Sequence, residues 1–179
     1  MLIMEGIILD YNSSVTYLIK KFPYIPDTLL VLGSGFANYV NSVEIDYEIP
    51  YSEIPGFKIP TNHMHQGKLI LGRACENQVL IMQGRIHYYE GYDMPDIIYP
   101  IRVFRLMGLK NVILTNASGG ISPEYDPGTL VFVKDHISYL VPNCLRGEND
   151  PEFGVRFPDS TNIYTESVRK DLIQRCRKK

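Results

Sequence analysis

Short apolar runs alternate along the chain with stretches whose apolar residues recur at helical spacing. The run Thr28–Leu32 ends on Gly33 and predicts a buried strand, because a compact apolar run that stops at a turn residue is typical of one. Similar runs predict further strands over residues 68–71, 79–82, 111–115 and 129–133. The alternation of such strands with helices indicates an α/β fold.

Helices are predicted before, between and after these strands. A short helix ends at Lys21 and takes Ser13 or Ser14 as its N-cap. A second helix opens at Pro95 and carries an apolar stripe along one face. A third helix is predicted over residues 161–179, where apolar side chains at i, i+4 and i+8 share a face.

The bulk composition is that of an ordinary globular protein. With 45% hydrophobic and 21% charged residues, and no linker or repeat, we expect a single domain over residues 1–179. The formal net charge of −2 gives no basic field, so no nucleic-acid partner is expected. No apolar run approaches the roughly 20 residues of a membrane-spanning helix, and the N-terminus lacks the basic region of a signal peptide. We therefore expect a cytoplasmic protein without a membrane partner.

The cysteines and paired histidines do not have the spacing of a disulfide framework or a metal site. Cys75, Cys144 and Cys176 are far apart and form no CxxC pair. Reduced thiols in a cytosolic compartment are the expected state. His63 and His65 stand at i and i+2, but no carboxylate or thiolate lies beside them at ligand spacing. We therefore expect no bound metal.

A glycine-rich turn, Gly33-Ser34-Gly35, follows the first predicted strand directly. Glycines let backbone N–H groups point at an anion, and the Ser34 hydroxyl adds a further donor. The segment has neither the GxGxxG pattern of dinucleotide sites nor the lysine of a P-loop. Taken alone, it is also compatible with an ordinary turn between a strand and a helix.

A denser group of polar side chains follows the strand predicted over residues 79–82. The segment QGRIHYYEGY places Arg85 and His87 at i and i+2, so an extended chain projects both on the same side. A guanidinium fork and an imidazole together suit a tetrahedral oxyanion such as phosphate. Glu90 can accept from a hydroxyl or orient a histidine, and Tyr89 offers a ring face to a sugar or base. The alternative is a solvated loop with a packed tyrosine.

Two further segments complete the set of candidates. His65, in segment 62–67, can donate to an anion, although a surface-loop histidine is the alternative. The small residues of TNASGG follow the strand predicted over 111–115 and allow a ligand close to the backbone. Three of the four candidate segments thus follow a predicted strand, and segment 62–67 is the exception. We expect one phosphate-binding crevice, lined by Ser34, Arg85, His87 and the Ala117 backbone.

The order and spacing of these motifs resemble one known family. The chain carries, in order, GSG, MHQG, QGRIHYYEGY, LTNASGG and LRGENDPEFGVRFPD. From about Thr28 to its end it is similar to the trimeric, low-molecular-mass purine nucleoside phosphorylases, and QGRxHxYEG together with TNAxGG is highly specific. The resemblance implies a mixed central β-sheet flanked by helices.

The resemblance also implies an activity and roles for particular residues. It implies phosphorolysis of purine (deoxy)ribonucleosides to free base and (deoxy)ribose 1-phosphate, with inorganic phosphate as co-substrate and no cofactor or metal. It implies a homotrimer that acts in purine salvage. The phosphate-binding residues implied are Ser34, His65, Arg85, His87 and Ala117. Those implied to contact the nucleoside are Tyr89 and, across to a neighbouring subunit, Phe153. His87 and Glu90 are implied to be catalytic.

The chain also departs from the family pattern. Asn62-His63-Met64 stands where the family usually has Val-Pro-Gly. The purine-contacting residues of the family would fall after Lys179, so the chain is expected to be C-terminally incomplete, and no residue is assigned to base recognition. An incomplete sheet would leave an exposed edge, which predicts poor solubility. The alternatives are an inactive remnant that at most binds phosphate and a methylthioadenosine phosphorylase.

Overall fold

The computed structural model of the protein describes residues 9–176. Its contacts divide the chain into two compact units, an N-terminal unit that ends at Ala117 and a C-terminal unit that begins at Ser118. The expectation of a single domain over residues 1–179 stays a prediction. Within residues 9–176, none of the helices combines the length and the apolar character that a bilayer crossing requires.

The N-terminal unit is built on a mixed five-stranded sheet, which confirms the expected fold class. Its strands are β1 (Thr28–Leu32), β2 (Glu44–Pro50), β3 (Lys68–Ala74), β4 (Asn77–Gln83) and β5 (Asn111–Leu114). The spatial order is β2-β3-β4-β1-β5. β1 pairs in parallel with β4 and β5, whereas β3 pairs antiparallel with β2 and β4. Four strands, β1, β2, β4 and β5, therefore point one way, and β3 alone runs against them.

The central strands are buried on both faces, which explains their continuous apolar sequences. Alternate residues enter two separate clusters: Leu29 and Leu80 belong to one, and Leu32 and Ile81 to the other. The first cluster is covered by the helices α1 (Tyr11–Lys21) and α2 (Met94–Leu106), which contribute Leu18, Val103 and Phe104. The second is covered by Val40, from the 3-10 helix Ala37–Ser42.

The helix α1 begins earlier than the sequence predicts. Asp10 is its N-cap, and its carboxylate accepts a hydrogen bond from the Ser13 N–H at 3.2 Å. The expectation that Ser13 or Ser14 caps the helix was therefore wrong. Ser14 is fully buried instead, where its hydroxyl lies 2.9 Å from the Tyr99 hydroxyl and donates to the Pro55 carbonyl. An acidic side chain at the N-cap satisfies the free N–H groups of the first turn as well as serine does.

The strand β5 lies at one edge of the sheet and is poorly covered. Val112, Ile113 and Leu114 are 47%, 51% and 60% exposed. The expectation of an exposed apolar edge is thus confirmed in this strand. Such an edge favours pairing with other chains, and the poor solubility expected from it stays a prediction.

The C-terminal unit is mostly irregular. Its regular elements are the 3-10 helix Pro151–Phe153 and the helix α3 (Glu166–Cys176). The predicted helix thus begins at Glu166 rather than at 161, because Asp159 accepts from the Thr161 N–H at 2.9 Å and closes a turn there. The final part of that prediction, residues 177–179, lies outside the described residues.

The strand predicted over residues 129–133 is absent, so that prediction was wrong. The structure assigns no strand to residues 118–176, and those of segment 129–133 are largely exposed. A β-strand exists only when its N–H and C=O groups pair with a neighbouring strand. An apolar run without such a partner in its own unit stays irregular.

Candidate active site

The candidate site lies at one edge of the sheet, where three parallel strands end. Because β1, β4 and β5 are parallel, the segments after them begin side by side. The Gly84 N–H donates to the Leu32 carbonyl at 3.1 Å, and the Gly33 N–H donates to the Thr115 hydroxyl at 2.9 Å. The glycine-rich turn, the Arg85 segment and the first residues of the TNASGG segment, Thr115 to Ala117, therefore meet at this edge.

The His65 loop reaches the same edge by the opposite strand direction. β3 runs antiparallel to β4, so that its first residue, Lys68, pairs with Gln83, the last residue of β4. The Gly67 N–H donates to the Gln83 carbonyl at 3.0 Å. The loop before β3 therefore lies beside the loops that follow β4 and its parallel neighbours. Segment 62–67 thus reaches the same end of the sheet as those loops, although it precedes a strand and they follow one.

Gly84 allows the two loops to come close together. Its φ of +96° is a conformation that side chains other than glycine's rarely adopt, and a Cβ there would lie 2.6 Å from the Cβ of His65. His65 consequently packs directly on the backbone that leads to Arg85. The imidazole rings of His65 and His87 lie 4.9 Å apart between centroids.

His65 is buried and incompletely hydrogen-bonded. The residue is 8% exposed, and among the residues that the structure describes its Nε2 has no hydrogen-bond partner. Burial lowers the pKa of His65, and the positive charges of His87 and Arg85 lower it further, against an opposing effect of Glu90. A buried polar atom without a partner is costly, so Nε2 is suited to receive a ligand.

Glu90 is held by contacts to both of its carboxylate oxygens. Oε1 accepts from the His87 N–H at 2.8 Å and lies 2.7 Å from His87 Nδ1. Oε2 accepts from the backbone N–H and the hydroxyl of Thr61, at 2.6 and 2.7 Å. Burial by itself would raise the pKa of Glu90, but the hydrogen bonds from Thr61 and His87 outweigh it and bring that pKa to about 2. Glu90 is therefore an ionised carboxylate that fixes one nitrogen of His87.

Arg85 and Tyr89 complete the cluster on its open side. The Arg85 guanidinium is half-buried, and within residues 9–176 no hydrogen bond or ion pair occupies its donors. The Tyr89 ring stacks on His87 at 4.8 Å and 19°, and its hydroxyl accepts from Asn62 Nδ2 at 3.0 Å. Tyr89 itself is 71% exposed.

The structure thus brings most of the sequence-predicted residues to this edge. Ser34 is half-exposed after β1, and Ala117 is exposed after β5, two residues beyond Thr115. Phe153 belongs to the C-terminal unit, in its 3-10 helix. Among residues 9–176, no group of three or more His, Cys, Asp or Glu side chains has the arrangement of a metal site.

Sequence reasoning missed Thr61 and Asn62. Asn62 stood out only as a departure from a family pattern, and Thr61 carried no signal. Their partners lie 29 and 27 residues away in sequence, so only the folded loop reveals the contacts.

The low pKa of Glu90 predicts an acid-dependent stability. Because its folded value of about 2 lies below the ordinary 4.5, Glu90 stabilises the fold above pH 4.5, and this contribution is lost as the pH falls toward 2. Urea unfolding of wild type between pH 5 and 3 should show a steeper loss of unfolding free energy than the Glu90→Gln variant. Glu53→Gln, at an exposed carboxylate, should keep the wild-type slope. Equal slopes for wild type and Glu90→Gln would contradict the assigned contacts.

Residues 27–179 match the sequence profile of the phosphorylase superfamily. The chain belongs to this superfamily. The match begins just before β1 and includes all of the candidate site. It confirms the resemblance that the QGRIHYYEGY and TNASGG motifs indicate.

The named relatives of this chain are purine nucleoside phosphorylases. It is 41% identical over 159 residues to purine nucleoside phosphorylase 1 of Geobacillus stearothermophilus, covering 89% of this chain and 58% of that protein. The Mus musculus enzyme is 35% identical over 164 residues, with 90% of this chain and 57% of that protein covered. A crystal structure of Schistosoma mansoni purine nucleoside phosphorylase in complex with adenosine superposes with a TM-score of 0.87 at 35% identity, covering 96% of this chain and 61% of that one. This chain therefore spans 57% to 61% of the length of these relatives.

Proposed function

We propose that this protein is a purine nucleoside phosphorylase, which converts purine (deoxy)ribonucleosides and inorganic phosphate into free base and (deoxy)ribose 1-phosphate. The observation that carries the proposal is the grouping of Arg85, His65 and His87 at the edge where three parallel strands end. Within residues 9–176, no hydrogen bond or ion pair occupies the donors of the guanidinium, and His65 Nε2 is buried without a partner. Forked and single N–H donors that converge in this way suit a phosphate dianion.

The roles proposed for individual residues rest on this placement and on the family resemblance, and that of Phe153 rests on the resemblance alone. Phosphate is bound by Ser34, His65, Arg85, His87 and the Ala117 amide, and inorganic phosphate is the co-substrate, with no other cofactor. Tyr89 covers the sugar, because its ring is stacked on His87 and is otherwise open. Phe153 contacts the nucleoside of a neighbouring subunit in a homotrimer. The adenosine complex of the Schistosoma mansoni relative supports a purine nucleoside as the substrate.

The reaction needs placement and electrostatics rather than a nucleophilic side chain. The bond between the anomeric carbon and the purine nitrogen breaks, and its electron pair leaves with the base. A phosphate oxygen then forms the new bond to that carbon, while the dianion stabilises the positive charge that develops on the sugar. His87 takes part by donating to phosphate, and the Glu90 carboxylate holds it in orientation from Nδ1. The proposal includes a role in purine salvage in the cytoplasm.

The decisive test is release of hypoxanthine from inosine by the purified chain, with and without inorganic phosphate. Phosphate-dependent release, with ribose 1-phosphate seen by phosphorus NMR, supports the proposal. Phosphate binding without release from a folded sample favours the inactive remnant instead. Methylthioadenosine is assayed in parallel, and faster turnover of it than of inosine contradicts the proposed substrate class.

A further inference from the structure

The loop that precedes β3 contacts the segment after β4 through two consecutive residues. Thr61 holds Glu90, and Asn62 holds Tyr89, so two neighbours in one loop contact two neighbours in the other. No apolar burial holds Tyr89, which is 71% exposed. The placement of Tyr89 itself therefore depends on its hydrogen bond from Asn62 and on its stacking against His87.

Thr61 acts on His87 through Glu90. Both of its donors, the backbone N–H and the hydroxyl, go to Oε2, which leaves Oε1 for the backbone N–H and the ring Nδ1 of His87. A carboxylate anchored through one oxygen presents the other in a fixed direction. The imidazole that contacts Oε1 is consequently fixed as well, in the manner of a second residue that orients a ligand-binding histidine.

Asn62 has two functions in the same loop. Its Oδ1 accepts from the Met64 N–H at 3.0 Å and closes a local turn just before His65. Its Nδ2 donates to the Tyr89 hydroxyl, also at 3.0 Å. One side chain thus shapes the loop that carries His65 and sets the position of the Tyr89 ring on His87.

We propose that Thr61 and Asn62 are positioning residues, of which Thr61 orients the phosphate-binding His87 through Glu90 and Asn62 orients Tyr89 over the sugar. The proposal rests on the proposed function. It assigns the two contacts to different substrates, so each has its own kinetic signature. Thr61 affects phosphate, and Asn62 affects the nucleoside.

The Thr61 contact is tested with Thr61→Val, which removes the hydroxyl and keeps the backbone N–H. We expect the phosphate KM to rise on the order of 10-fold, because a hydrogen bond to a charged group is lost. Thr61→Ser should restore the wild-type value, and Thr16→Val, at an exposed threonine of α1, serves as the matched control. Carbon NMR of the Glu90 carboxyl should show its pKa rising from about 2 toward the ordinary value in Thr61→Val. The titratable groups that face this carboxyl are His87, which contacts it directly, and His65, which interacts with it electrostatically.

The Asn62 contact is tested with Asn62→Ser, which can still close the local turn but is too short to reach Tyr89. We expect the inosine KM to rise several-fold, with a smaller change in the phosphate KM. In a Tyr89→Phe background the same substitution should add little, because the shared hydrogen bond is already absent. Asn143→Ser is the matched control, since Asn143 Oδ1 closes the same kind of turn with the Leu145 N–H.

Failure of the proposed function can be distinguished from failure of the positioning proposal. If the wild-type chain does not turn over, the proposed function fails, and the positioning contacts are still read from the Glu90 carboxyl titration and from the ring-current shift of His87 on Asn62→Ser. A Glu90 pKa unchanged by Thr61→Val, or full additivity of Asn62→Ser and Tyr89→Phe, overturns the positioning proposal whatever the activity.

Discussion

Arg85→Ala is expected to raise the KM for inorganic phosphate on the order of 10- to 100-fold, because a charged forked donor to the dianion is lost. The expected change in the inosine KM is smaller, since Arg85 belongs to the proposed phosphate site and has no proposed contact with the sugar. Steady-state rates of hypoxanthine release, measured over a range of phosphate concentrations, give both constants.

Two companion variants define what the Arg85 result means. Arg85→Lys keeps the charge and loses the planar fork, so its phosphate KM should fall between wild type and Arg85→Ala. Arg105→Ala removes an exposed guanidinium from the last turn of α2 and should behave as wild type. A phosphate KM that is the same in Arg85→Ala and wild type would remove Arg85 from the phosphate site.

Gly84→Ala is expected to destabilise the protein more than any other glycine change at the site's loops with a comparable backbone conformation. The residue has a φ of +96°, and its new Cβ would lie 2.6 Å from the Cβ of His65. The left-handed conformation costs roughly 1–2 kcal/mol for a residue with a Cβ. The forced displacement of His65 adds about 1–3 kcal/mol, as for other overpacked sites.

Gly108→Ala separates these two contributions. Gly108 has the same φ of +96°, but a Cβ there meets nothing within 4 Å. The two variants share the backbone cost, so the difference between their urea unfolding free energies measures the close approach of His65. Equal losses of unfolding free energy would show that the loop carrying His65 moves away from the new Cβ without a measurable loss of stability. A phosphate KM raised in Gly84→Ala and unchanged in Gly108→Ala would place His65 in the phosphate site.

Four of the five strands could be predicted from sequence by their apolar runs, which in β1, β3 and β4 reflect burial on both faces. The strands β1, β3, β4 and β5 all have continuous apolar runs, and their predicted positions agree with the structure to within a few residues. β2 was not predicted. It alternates charged and apolar residues, with Glu44, Asp46 and Glu48 largely on its open side, and its pairing with β3 has an irregular register. The position of such a strand is determined by its pairing with a neighbour, here β3, rather than by its own sequence.

The candidate site divides in the same way. Arg85, His87 and Glu90 are close in sequence, so their chemistry could be inferred from spacing alone. The contacts of Thr61 and Asn62 depend on how a distant loop folds back, and no local pattern reports them. His65 was an intermediate case. The sequence allowed either an anion donor or a surface-loop histidine, and the place of His65 at this end of the sheet depends on the antiparallel direction of β3, which the apolar pattern does not encode.

The turn between β3 and β4 imposes a length constraint on the site from the far end of the sheet. Cys75 and Glu76 form this turn with φ values of 47° and 70°, and from there the register runs without interruption to the pair Lys68 and Gln83. Seven residues per strand separate turn and site, about 20 Å at the usual rise. One residue inserted at the turn would exchange the faces of a whole strand. Most surface loops accept such an insertion. In this hairpin it would displace His65 relative to Gly84, so the candidate site at the opposite end of the two strands constrains the length of the exposed turn.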